Sequence, residues 1–527
     1  MRPLPGPASP TVPDPGQAAG PASRPGRAAH DRAGAAHRRD LTLLASLAVA
    51  VRLPALLASA HHHYDDGGYG LAVVAMRQGF LPFRDVFSSQ GPLFLPLLRL
   101  GDLLGAQASF APRLVPVAAG AATAVATSLA ARELTDRGGA LLAGALVATS
   151  GSLLWTTAPI TGDGVVAAFA TAAVAVALAY RRDPTRARVV TLTLLAGAAV
   201  SVKHLMAGPA LAVSWLVLLT TPHPHRVRRA LLVPLGAAAV LVALGAVFGG
   251  HVVDHYFRYH LTKTGERDPV ANLSKLATTL PQRDLPLLAV GVGAQAASFR
   301  PERRRRPSRS RPTPPGGRVA AFVAGERAVW CWAGLALALL VWQSPMFRNH
   351  LALLVAPLSI LVAAHRPPWR WVAVLALAGA TVTVPHLRPL LAPPGYRGAE
   401  AAVVADLRAL PPGAWVLSDE PGLVWRAGRA TDPWFVDPSV LRIRSSQPAI
   451  RIDAADVARA AADPRVCRVV VWAKVRFGSF RDLPAGLARL GYRPGETFGG
   501  GRVIYRRDPC RYPDPGGRAI AAARTGR

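Results

Sequence analysis

The stretch 61–98 reads HHHYDDGGYGLAVVAMRQGFLPFRDVFSSQGPLFLPLL, and its acidic pair Asp65-Asp66 follows directly on the first membrane-length apolar segment. Acids at bilayer depth are costly and tend to be functional. An acid just outside the hydrocarbon stands at the level where a lipid-linked head group presents its reactive atoms. A solvated loop that merely ends a helix is the plain alternative, and the rest of the chain decides between the two.

The chain has 527 residues, is 51% hydrophobic and only 17% charged, and has a mean hydropathy of +0.26. Its apolar residues come in blocks of about 16–22, the length that crosses a bilayer as a helix. A soluble globular protein is excluded by that composition. The net charge of +31 comes mostly from Arg in short loops, which the positive-inside rule explains better than a nucleic-acid partner. There is no P-loop and no G-x-G-x-x-G opening a helix after a strand, which argues against a cytosolic nucleotide-sugar donor.

Residues 1–40 are rich in Pro, Gly, Ala and Arg and read as a disordered cytoplasmic tail. Spans are expected at about 41–60, 112–131, 138–156 and 164–180. The run 188–221 is too long for one comfortable span, and basic segments flank it on both sides. Two short spans forming a hairpin broken near Gly208-Pro209 satisfy that charge pattern. Further spans follow at about 229–249, 285–299, 326–343, 349–364 and 369–388, with external loops at 61–110 and 251–284 and a basic cytoplasmic linker at 300–318 that also suits anionic lipid.

The fold class is therefore mainly α, a polytopic membrane protein of about eleven transmembrane helices, with a small C-terminal α/β domain. Residues 41–390 form the transmembrane domain and 395–515 the soluble domain. An odd span number starting inside puts that domain outside the cytoplasm, at a plasma membrane. Cys467 and Cys510 fall in it. They can pair there if the strands CRVVVWAKV and GGRVIYRRD are antiparallel neighbours, and cannot if they are parallel.

The topology brings Asp65-Asp66, the Arg84-Asp85 pair and Asp163 to one face of the membrane. Converging acids serve as a general base or hold a divalent cation through oxygen ligands. A single acid such as Asp163 is equally a helix cap. The triplet His61-His62-His63 reads as an exposed interfacial run rather than a metal site, because consecutive side chains point in different directions.

The string YDDGGYGLAVVAMRQGFLPFRDVFSSQGPLF, 64–94, resembles the first external loop of the GT-C membrane glycosyltransferases, which include the family 39 protein O-mannosyltransferases and the aminoarabinose lipid A transferases. The matching positions are Asp65-Asp66, Gly67, Tyr69, then Gly79, Pro82, Phe83, Arg84 and Asp85, then Gly91-Pro92. Asp66 stands where the family usually has Glu, and Gly91 where a second Pro is common. The likeness extends to Asp163, to the Lys203 segment and to FRNHLALLVAPLSIL, over about 41–390.

The resemblance implies a donor sugar on a polyprenyl phosphate and an inverting transfer to an external hydroxyl on a glycan, lipid or protein. It implies Asp65 as general base, with Asp66 and Asp163 orienting the acceptor or supporting a cation. Tyr69, Arg84 and Asp85 belong to the substrate loop. Lys203, His204, Arg258, His260, Lys263, Arg348 and His350 are candidates for binding the phosphate or sugar, with His255 in the same cluster. Snorkelling to the interface is the plain alternative for Lys203. The donor substrate is the polyprenyl-phosphate-linked sugar; whether a divalent metal also binds is left open, and Asp65, Asp66 and Asp163 are the residues that would hold it. A transporter or lipid flippase is the competing class, but such proteins show internal repeats and none is evident; a non-catalytic envelope-assembly protein is the other.

Overall fold

The computed structural model describes residues 25–261, 267–298, 317–365, 367–508 and 510. Two compact units divide the chain, Met1–Leu43 and Leu44–Arg527. Helix α1 is Pro25–Leu56, so helix begins well inside the segment 1–40 that the sequence left as a tail. The Ala- and Arg-rich string before the apolar block has high helix propensity and extends the span.

Helices α2 (Tyr64–Arg77) and α3 (Phe94–Leu104) follow. Then come α4 (Leu114–Arg132), α5 (Arg137–Thr149), α6 (Gly151–Thr157), α7 (Gly162–Tyr180), α8 (Arg186–Thr220) and α9 (Arg226–Phe248). The short α10 (Tyr259–Leu261) precedes α11 (Pro269–Ser298), α12 (Gly317–Trp342), α13 (Ala352–Ala364) and α14 (Trp369–Leu391). Among the described residues, six helices are long and apolar enough to cross a membrane, or seven if the bent pair α5–α6 counts as one. The linker residues 300–316 lie outside the described residues.

The chain reverses inside α8. Arg188 near its start donates from Nη1 to the carbonyls of Ala179 and Asp183 at the end of α7. Arg229, in the first turn of α9, donates to Tyr180 Oη at 3.0 Å and to the Pro184 carbonyl. Both helices thus start at the same end of α7. A straight helix of 35 residues would be ~52 Å long, and the linker 221–225 reaches at most roughly 18 Å. The turn is at Lys203, where φ is −160° and ψ 95°. The helix thus folds back on itself, as a hairpin within 188–221 requires, but the break is at Lys203 and not at Gly208-Pro209.

The reason is where the freed backbone groups find partners. The Gly91 and Leu93 amides donate to the Val202 and Ser201 carbonyls at 2.8 and 2.9 Å. Tyr256 Oη donates to the Val200 carbonyl at 2.5 Å and accepts from the His204 amide at 2.6 Å. Exposed peptide groups at 208–209 would have no such partners. In the segment expected as loop, 251–284, α11 begins at Pro269 and bends at Asp284 (φ −133°, ψ 28°).

The C-terminal domain carries α15 (Gly398–Arg408), α16 (Pro421–Arg426), α17 (Val440–Ile443), α18 (Ala454–Ala461) and α19 (Leu483–Arg489). Strands β1 (Trp415–Ser418), β2 (Val466–Val471), β3 (Arg493–Phe498) and β4 (Arg502–Arg506) form one sheet in the order β1-β2-β4-β3. β1 and β2 are parallel, and β4 is antiparallel to both its neighbours. That antiparallel β2–β4 pair sets Cys467 beside Cys510 with Cα atoms 5.3 Å apart, and they form a disulfide.

The disulfide spans 43 positions, for which chain entropy predicts a contribution of about 4 kcal/mol. Cys467→Ser should therefore lower the melting temperature of the C-terminal domain and expose the final strand to protease, and reductant should do the same to the native chain only. The turn at Lys203 is tested separately. A cysteine placed at Thr221 should react with impermeant maleimide only from the face that labels one placed at Asp183.

Candidate functional site

Asp65 and Asp66 open α2 and take opposite fates. Asp66 is fully buried. Its carboxylate accepts from Arg113 Nε at 3.1 Å and Nη2 at 2.5 Å, from the Ile160 amide at 2.9 Å and from the His62 amide at 3.0 Å. Burial alone would raise this carboxyl, but the Arg113 guanidinium and its hydrogen bonds hold it well below the usual carboxylate range. Its lone pairs are committed to the fold, so the expectation that Asp66 faces substrate gives way. Asp65, one residue earlier, is exposed, and its charge acts on the buried phenols Tyr69 and Tyr259.

The histidines are half-buried rather than an exposed run. His61 lies 3.3 Å from Glu420 and its Nδ1 is at hydrogen-bond distance from Tyr396 Oη. His62 Nε2 meets the Ala55 carbonyl, and His63 Nδ1 caps α2 by accepting from the Asp66 amide. Burial pushes His62 and His63 down to about 4, so both are neutral in the folded protein at neutral pH.

Asp163 opens α7, and its Oδ1 is 2.8 Å from Lys203 Nζ and 3.9 Å from His350 Nε2. Asp163, Met206, Asn349 and His350 line a small cavity. The Lys203 ammonium thus sits at the break in α8, against the first turn of α7. Next to it, the rings of His204 and His260 lie 5.6 Å apart, both against Tyr256. His260 Nε2 is 2.8 Å from the Ser89 carbonyl. Gln90 donates from Nε2 to Tyr69 Oη at 2.7 Å. The loop 88–92 therefore connects Tyr69, beside Asp65, to the Lys203 break.

Other expected residues stand apart. Arg84 is exposed and paired with Asp85, whose carboxylate also accepts from the Leu81 amide. Phe83 takes the left-handed conformation (φ 64°) with its ring buried against Phe248 and His255, which turns Arg84 outward. Arg258 pairs with Asp254 on the surface. Arg348 is exposed. Burial, with Arg442 nearby, pushes His255 down to about 3, so it is no cation for a phosphate. Lys263 lies outside the described residues.

Among the described residues, no group of His, Cys, Asp or Glu is placed to hold a metal ion. Asp66 is taken by Arg113 and Asp163 by Lys203, so Asp65, Asp66 and Asp163 do not form the shared cation site that the sequence allowed.

Several residues were not anticipated. Arg113 is one, 47 positions from its partner. Gln90 stands inside the motif but looked like loop. The C-terminal domain supplies Asp437, whose Oδ1 accepts from Tyr64 Oη at 3.0 Å. Its segment is fastened by the buried Arg442, which donates to the carbonyls of Trp434, Asp437 and Ile450 and lies 3.9 Å over the Phe87 ring. The only signal for Asp437 was an acid in FVDPSV, far along the chain.

Removing Arg113 would strand the Asp66 carboxylate, and breaking a buried pair by losing one partner costs about 3–5 kcal/mol. Arg113→Leu should therefore extract from membranes as unstable or aggregated protein. The paired change Arg113→Leu with Asp66→Asn should recover much of the melting temperature, as read by fluorescence-detected chromatography after heating.

No protein-family model and no curated protein sequence matches the chain. Among the solved structures that cover nearly all of it are two of one protein. The apo crystal structure of ArnT from Cupriavidus metallidurans matches 88% of this chain and 97% of its own, with 13% identity and a TM-score of 0.62. The same protein bound to undecaprenyl phosphate matches 90% and 99%, with 13% identity and a TM-score of 0.61. At that identity the likeness is one of fold: this chain shares the fold of ArnT over nearly its whole length.

Proposed function

We propose that the protein is an integral membrane glycosyltransferase that moves a sugar from a polyprenyl-phosphate donor to an extracytoplasmic hydroxyl on a glycan, lipid or protein, inverting the anomeric centre. The observation that carries this reading is the divided acidic pair: Asp66 is locked by Arg113 while Asp65 is left exposed on the first turn of α2. The ArnT structure with undecaprenyl phosphate supports it, since the shared fold there holds a polyprenyl phosphate.

In the proposed reaction, Asp65 takes the proton of the acceptor hydroxyl as its oxygen attacks the anomeric carbon. The bond from that carbon to the phosphate oxygen breaks, and the lipid phosphate leaves as an anion. It needs positive charge rather than a proton. Lys203 provides it, held in place by Asp163, with His260 and His204 alongside. Tyr69 helps set the floor beside Asp65, and Asp66 acts as a positioning residue. His350 completes the Asp163 side. Arg84, Asp85, Arg258 and Arg348 are surface residues on this reading and line the approach. The eleven crossings, a cytoplasmic N-terminus and an external C-terminal domain at the plasma membrane complete the proposal; they put Asp65, Lys203 and the domain on one side.

A positioned general base contributes about 10²–10⁴-fold to the rate. Asp65→Asn should therefore cut transfer from radiolabelled undecaprenyl-phosphate sugars at least a hundredfold in proteoliposomes, with expression and melting temperature unchanged. Near-normal turnover by that variant would remove Asp65 from the reaction.

A further inference from the structure

The amide of Gln90 is held by one end only. The side chain is 6% exposed. Its Nε2 donates to Tyr69 Oη at 2.7 Å and reaches Ser89 Oγ at 3.4 Å. Its Oε1 is buried and has no hydrogen-bond partner among the described residues. The loop that presents it is stiff. Gly91 and Leu93 are bonded to the Lys203 turn, and the Gln90 amide and carbonyl both meet Ser88 Oγ. A side chain this well fixed cannot swing away to find another partner.

The space next to Oε1 belongs to the site. A Cβ built on Gly162 would lie 2.4 Å from Oε1, so only glycine lets the amide pack against the first turn of α7. The next residue is Asp163, bonded to Lys203. A buried carbonyl oxygen without a donor is costly, and it calls for a group that brings a hydrogen. An ionised phosphate diester carries none and would be repelled by Oε1. A sugar hydroxyl carries one. The charge-bearing side of the site, Lys203 and His260, therefore suits the phosphate, and the neutral amide suits the sugar attached to it.

We propose that Gln90 is a substrate-binding residue that accepts a hydrogen bond from a hydroxyl of the transferred sugar, and so distinguishes the sugar-bearing carrier from the bare lipid phosphate. The inference rests on the transferase reading above. It involves no bond change: the hydroxyl keeps its proton throughout.

The test compares binding of undecaprenyl phosphate alone with binding of undecaprenyl phosphate carrying mannose, glucose or arabinose, using the full chain in lipid nanodiscs. The wild type should hold at least one sugar-bearing lipid more tightly than the bare lipid. Gln90→Leu should weaken that lipid at least tenfold and leave undecaprenyl phosphate unchanged, a split that general loosening of the site would not produce. Should Gln90→Leu fail to fold, Gln90→Asn keeps the amide but draws it back by one methylene, and the same split is expected. An unchanged ratio in a folded variant, or a wild type that prefers no sugar-bearing lipid, overturns the role of Gln90 and leaves the transferase reading standing. A wild type that binds none of these lipids overturns the transferase reading, and Gln90 with it.

Discussion

Two buried guanidiniums at the end of helix α1 tie distant parts of the chain together. Helix α1 stops at Leu56, and a helix end leaves its last carbonyls unpaired and partly negative. Arg113 donates to the carbonyls of Ala55, Ala58 and Ala60 while gripping Asp66. Arg426, from the C-terminal domain, reaches the same Ala58 and Ala60 carbonyls and that of Ser109. Both cations lie over the Trp425 ring, at 5.2 and 4.2 Å. Burial and its neighbour Arg113 push Arg426 down to about 10, which leaves it charged at neutral pH. Like charges this close persist because carbonyls, one carboxylate and an indole face surround them. The cluster joins α1, the start of α4, the first external loop and the soluble domain.

The acidic pair follows from that cluster. Neighbouring residues on a helix project roughly 100° apart, so pinning Asp66 inward turns Asp65 outward. The two acids therefore share one fixed turn, with Asp66 as its anchor. The glycines that follow are equally structural. A Cβ on Gly67 would lie 2.4 Å from the Gly422 Cα, so only glycine lets α16 lie directly on α2. The C-terminal domain then packs against α2 and the loop after it, with Asp437 bonded to Tyr64 and Arg442 stacked on Phe87 and Trp434.

What was legible in the sequence is what local pattern determines. Apolar blocks marked the long helices, and charge on both flanks of 188–221 called for a reversal there. Strand content around Cys467 and Cys510 left two pairings open, and β4 returning antiparallel to β2 chose one. The site was half legible. A motif gives residue types, but which acid of Asp65-Asp66 is buried depends on Arg113, far along the chain. Gln90 could not be separated from its loop neighbours, because its distinction is a missing partner in three dimensions. The break at Lys203 was placed at Gly208-Pro209 because composition reports where a helix is weak. It does not report where its freed carbonyls are received.

That last point ties the fold to the chemistry. Irregular backbone at membrane depth persists only where protein or a cavity supplies the lost hydrogen bonds. Here the loop 88–93 and Tyr256 supply them, so the residues that repair the helix also build the site. On the proposed reading the same break explains Lys203. An ammonium near a membrane face needs a counter-charge when no substrate is present, and Asp163 provides it at 2.8 Å. An arriving phosphate then meets a cation already desolvated and held in place, which strengthens the attraction without reorganisation at the moment of transfer. Asp163 limits how tightly the product phosphate is kept, because its own charge continues to compete for the ammonium.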